Sequence, residues 1–126
     1  MSYKIYLKKA KILLKEAEID LKNACYNKVV SALWFSMELL MRGLLLKRRK
    51  IPPEKAGKLI HVFVNECFLS DKTKAEVASL LTSLYSRRKD VDHKKKIADE
   101  NFAYITYEIY QKVLLKIKQE LGEEII

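Results

Sequence analysis

Residues 27–47 read NKVVSALWFSMELLMRGLLLK, and this run decides the fold. Val29, Val30, Leu33, Trp34, Phe35, Met37, Leu39, Leu40, Leu44 and Leu45 leave almost no polar face at helical spacing. A helix apolar nearly all round is the buried centre of a bundle or a membrane span. Glu38 and Arg42 stand one helical turn apart in its middle, where a span would have to bury both charges. The bundle centre is the expectation.

The flanking sequence supplies partners for that centre. Leu7, Ala10, Leu14, Ala17, Leu21 and Ala24 alternate by three and four, a core stripe on a first long helix. Pro52-Pro53-Glu54 ends the central run and opens a shorter helix over 55–68, with proline suited to a first turn. That helix buries Leu59, Ile60, Phe63, Val64 and Cys67. Ser70 or Asp71 offers the cap of a fourth helix facing inward through Val77, Leu80, Leu81, Leu84 and Tyr85. A polar loop over 89–96 follows. Asp99 then caps a fifth helix carrying Phe102, Ile105, Ile109, Val113, Ile117 and Leu121, and Gly122 stops it. No segment alternates like a strand and none repeats. The expected architecture is all-α, an up-and-down bundle of about five helices in a single domain over 1–126.

Composition fits that picture. At 126 residues the chain suits one core, and three glycines with two prolines leave few turns. Cys25 and Cys67 form no metal-type pair and sit in apolar company, so core thiols of a reducing cytosol are expected. Lysines throughout residues 3–15 do not read as a secretory leader, and a cytoplasmic protein without a membrane segment is expected. Two separated histidines, isolated cysteines and no paired carboxylates give no metal site. Glycine-rich phosphate loops and hydrolytic triads are absent too, so no cofactor is expected.

The formal charge of +9 is concentrated. Lys47-Arg48-Arg49-Lys50 carries +4, and residues 87–96, with six basic and two acidic side chains, another +4. Two readings stay open for the first cluster: a polyanion patch, or basic residues complementing a helix carboxyl end. The second runs beyond its helix into the loop, which favours phosphate binding by Arg87, Lys94, Lys95 and Lys96.

Within that second cluster the order is Arg-Arg-Lys-Asp-Val-Asp-His, residues 87–93. A histidine can take the 2′-hydroxyl proton of RNA while a guanidinium holds the phosphate as charge builds on it. Arg88 and His93 are the candidate catalytic pair. Asp90 or Asp92 either orients the ring or neutralises Arg88. His61, on an apolar helix, reads as a core histidine. Tyr104, Tyr107 and Tyr110 resemble a base-stacking platform, but their three-residue spacing fits packing or dimer contact better.

These pieces together resemble the HEPN family, higher eukaryotes and prokaryotes nucleotide-binding domains. The likeness runs over nearly the whole chain. It is carried by Leu13 to Leu21 with Ala24 and Tyr26, by Glu38 to Leu46, by the element near Gly57 bearing His61, and by Arg88 and His93 at the signature position. The resemblance implies a helical bundle, homodimers whose two Arg/His pairs line one cleft, and metal-independent endoribonuclease toxins among the members. It also implies a small nucleotidyltransferase as partner. Two departures bear on activity. Lys89 follows the arginine where active members carry a small polar residue, and Lys95 stands where one toxin branch has a tyrosine. The alternative is a non-catalytic module that binds RNA, a nucleotide or the nucleotidyltransferase.

Overall fold

Ser2 opens the first helix by accepting from the backbone N–H of Lys4 at 3.3 Å, and α1 runs Tyr3–Lys22. Four side chains of its core stripe, Ala10, Leu14, Ala17 and Leu21, are buried. The computed structural model describes residues 2–93 and 96–123. The remaining helices are α2 (Tyr26–Lys47), α3 (Ala56–Cys67), α4 (Asp71–His93) and α5 (Glu100–Leu121). Among the described residues there is no strand.

α2 holds the bundle together. It packs against α1, α3, α4 and α5, and eleven of its residues are buried. By length and composition it could cross a membrane, yet 61% of its most apolar window is covered by the other helices. The apolar circumference is spent on four neighbours. One core cluster draws on all five helices, with Trp34, Phe63 and Tyr110 among its largest members. Trp34 meets Tyr85 of α4 at a ring separation of 4.9 Å.

α1 and α2 end alike. Cys25 N–H reaches back to Asp20 O at 2.9 Å over a left-handed Ala24 with φ 59°. Lys50 N–H reaches Leu45 O at 2.9 Å over Arg49, also φ 59°. Both are Schellman closures with an L-residue where glycine fits best. Ser70 caps α4 through Thr73 N–H at 3.1 Å, and Asp99 caps α5 through Phe102 N–H at 2.8 Å.

Two boundaries differ from the sequence expectation. The prolines lie ahead of α3, whose first helical residue is Ala56. Arg42 holds that lead-in extended, donating to Pro53 O at 2.8 Å and Glu54 O at 2.9 Å while pairing with Glu38. The expected loop over 89–96 is helical as far as His93. An Arg88–Asp92 pair at i,i+4 and a tie from Asp92 to α2 stabilise the extra turn.

Candidate functional site

The carboxyl end of α4 carries the candidate residues, and they divide by face. Arg88 points toward α2. Its guanidinium stacks over the Phe35 ring at 5.1 Å, and Nε lies 2.9 Å from Asp92 Oδ2. That Nε is buried and out of line for a directed hydrogen bond, so charge holds the pair. Asp92 is itself fixed, because Ser31 Oγ donates to Oδ1 at 2.6 Å. About one fifth of the Arg88 side chain remains exposed. His93 is exposed and makes no hydrogen bond or ion pair among the described residues.

Five residues along an α-helix mean a rise of about 7.5 Å and a rotation of about 140°. Arg88 and His93 of one chain therefore diverge around the helix.

Arg87 faces the other way. It donates to Phe102 O and Thr106 Oγ1, both at 3.3 Å, and stacks on the Phe102 ring at 4.5 Å. Lys96 sits over the same ring at 5.0 Å, and Lys89 over Tyr85 at 5.3 Å. Arg87 thus ties α4 to α5, with its charge one step from the site. Lys94 and Lys95 lie outside the described residues.

Beside Arg88 opens a groove of about 580 Å³ between α1, α2 and α4. Leu13, Glu16 and Asp20 form one wall, with Ser31, Phe35 and Asp92 opposite. Glu16, Asp20 and Asp92 outnumber Lys28 in its lining, and Arg88 lies behind Phe35 and Asp92 at its edge.

In the first basic cluster, Lys47, Arg48 and Lys50 make contacts at the end of their helix. Lys47 and Arg48 pair with Glu123 at 2.8 and 3.5 Å, and Arg48 also donates to Leu44 O. Lys50 pairs with Glu66 at 3.5 Å. These charges bind the end of α2 to the segment after α5. Two of the three tyrosines of α5 pack, since Tyr110 is fully buried and Tyr107 donates to Glu18 at 2.5 Å, whereas Tyr104 is exposed. Burial, with the Glu18 bond behind it, pushes the Tyr107 hydroxyl up to about 12. His61 corrects the expectation of a core histidine. It is exposed beside Asn65, because α3 turns positions 59, 60, 63, 64 and 67 inward.

The HEPN domain profile matches residues 3–121. The chain belongs to the HEPN family. A comparison with curated protein sequences returns no match. Membership gives this HEPN domain a nucleotide- or RNA-related function at the level of the family. Ser31 and Phe35 are the site residues that sequence reasoning missed. On a helix as apolar as α2, a serine and one phenylalanine among ten apolar residues carry no distinguishing signal.

Proposed function

We propose that this HEPN domain binds RNA at the carboxyl end of α4 and cleaves it without a metal, using Arg88 and His93 in a cleft shared by two chains. The observation that carries the reading is the divergence of the two side chains around α4, together with an exposed His93 that makes no hydrogen bond or ion pair among the described residues. His93 takes the proton of the 2′-hydroxyl. O2′ then attacks phosphorus, the P–O5′ bond breaks, and the 5′-oxygen leaves with a proton delivered by an acid or water. The products are a 2′,3′-cyclic phosphate and a 5′-hydroxyl. Arg88, by its planar fork, stabilises the charge on the phosphate oxygens.

The test is cleavage of RNA in EDTA by purified protein, with a DNA strand of the same sequence as control. RNA is expected to give cyclic-phosphate ends while DNA stays intact. His93→Ala is expected to lower the cleavage rate at least about 100-fold with binding retained, since proton transfer contributes on the order of 10² to 10⁴. Arg88→Ala should weaken both. RNA binding that falls steeply with salt is the accompanying signature of phosphate contacts.

One observation favours a second reading. Asp92, braced by Ser31, already occupies the Arg88 guanidinium. If that hold persists when RNA is bound, the domain is a non-catalytic module for RNA, a nucleotide or a nucleotidyltransferase partner. Binding without cutting across varied RNA substrates would establish it. Asp92→Asn should then tighten RNA binding several-fold, because it removes the competing negative charge.

A further inference from the structure

Asp92 fastens the last turn of α4. Its Oδ2 lies 2.9 Å from Arg88 Nε one turn earlier, and its Oδ1 accepts from Ser31 Oγ of α2 at 2.6 Å. One turn before Ser31, Asn27 Oδ1 accepts from the backbone N–H of Ala98 at 2.8 Å. α2 thus grips this stretch of chain at two points. The grip on Ala98 involves no charge. The grip on Asp92 uses a carboxylate that also holds the guanidinium assigned to the RNA phosphate.

A phosphodiester and a carboxylate compete for that guanidinium, because each offers two oxygens and a negative charge to the same fork. The resting hold is incomplete. Arg88 Nε is buried without an aligned acceptor, and a buried donor left so costs stability. About one fifth of the side chain is exposed, so a phosphate can approach from outside. Once seated, it stands close to the Asp92 carboxylate in a partly dry site, where like charges repel strongly. Asp92 then has to leave.

Its departure undoes the turn it fastened. Lys89-Asp90-Val91-Asp92-His93 has a β-branched residue, no apolar stripe, and two acids at a helix end where the dipole favours cations. Without the i,i+4 pair and the tie to α2, little in that sequence keeps it helical. We propose that Asp92 is a latch, a resident stand-in for the RNA phosphate, whose release by RNA uncoils residues 89–93 and frees His93 from its fixed azimuth. The proposal rests on the RNA-binding reading of Arg88 and adds an order of events to it: phosphate at Arg88 first, His93 delivered second. Ala98, still bound to Asn27, keeps the uncoiled segment at the site. In the resting chain the histidine stands about 140° around the helix from the arginine, so the idle domain holds the pair apart.

Amide hydrogen exchange reads the latch without requiring cleavage. In the free protein, Asp92→Asn should speed exchange at residues 90–93 at least about tenfold while Ala98 and the other helices keep their protection. A saturating single-stranded RNA of mixed sequence should do the same to the wild-type turn, whereas a strand that merely covered it would slow exchange there. Asp92→Asn should also bind that RNA several-fold more tightly and, where cleavage is measured, lower KM with kcat retained. RNA that binds while exchange at 90–93 stays unchanged or slows overturns the latch and leaves the RNA-binding reading standing. An Asp92→Asn turn that exchanges no faster than the wild-type turn overturns the latch in the same way. A wild type that binds no RNA overturns both.

Discussion

Ser36 places a hydroxyl in the apolar centre of the bundle. Its oxygen donates to Ala10 O at 2.6 Å and lies 2.7 Å from Tyr110 Oη. With its one proton spent on Ala10, Ser36 must accept from Tyr110. Burial pushes the Tyr110 hydroxyl up to about 12. The asymmetry of this pair makes a prediction. Ser36→Ala leaves the buried Tyr110 hydroxyl without a partner and should cost about 2 kcal/mol, within the range for an orphaned buried donor. Tyr110→Phe leaves Ser36 bonded to Ala10 and should cost about 1 kcal/mol or less. Urea unfolding of the two variants should rank them so, and the reverse order would refute the donor assignment. At this scale the sequence named the candidate residues but not their setting. Arg88 and His93 stood out by type and spacing, and Asp92 was one of two carboxylates offered as neutralising the arginine or orienting the ring. That Ser31 and Phe35 stand across from them depends on the azimuth of α2, which an apolar run without a polar face does not fix.

Between elements, the backbone carries a mismatch in both directions. Glycine stands at position 43, where α1 and α2 touch: an added Cβ would come 2.8 Å from Leu7 Cδ2 and 3.0 Å from Tyr6 Cβ. The leucine tip can turn aside, but the Tyr6 carbon is fixed to its helix. Gly43→Ala should therefore lose about 1 kcal/mol net, since overpacking costs about 1–3 kcal/mol and helix propensity returns at most about 1. Alanine stands at position 24, where φ is 59°. Ala24→Gly should gain about 0.5–1 kcal/mol by relieving a left-handed L-residue, less the added freedom of the unfolded chain. Thermal melts should show the two midpoints moving oppositely. The five elements and most of their inward faces were legible because each has an apolar stripe at helical spacing. The last turn of α4 was not. Lys-Asp-Val-Asp-His has no such stripe, and its helicity comes from one charge pair and one bond to another helix.

For the whole molecule, the buried acids set an alkaline limit. Burial pushes the Cys67 thiol up to about 11, and Tyr107 and Tyr110 up to about 12, from ordinary values of 9.0 and 10.0. A raised folded value means the unfolded chain loses its protons first. The contribution of these groups is whole below about pH 9 and fades as pH rises through 11 to 12. The melting temperature should hold steady from pH 7 to 9 and then fall. Stability that rises between pH 9 and 11 would contradict the raised values of all three. The single core was legible from the central helix alone, because an all-round apolar helix demands neighbours on every side.

The short turn between α1 and α2 has a kinetic consequence. Their contacts close over a few residues of chain, whereas the Ser36–Tyr110 bond spans 74 positions. Loop-closure entropy favours the hairpin first and the docking of α5 afterwards. Gly43→Ala should then slow refolding, while Tyr110→Phe should leave refolding nearly unchanged and speed unfolding. The residence time of the native state, as distinct from its depth, is set by the last helix to arrive.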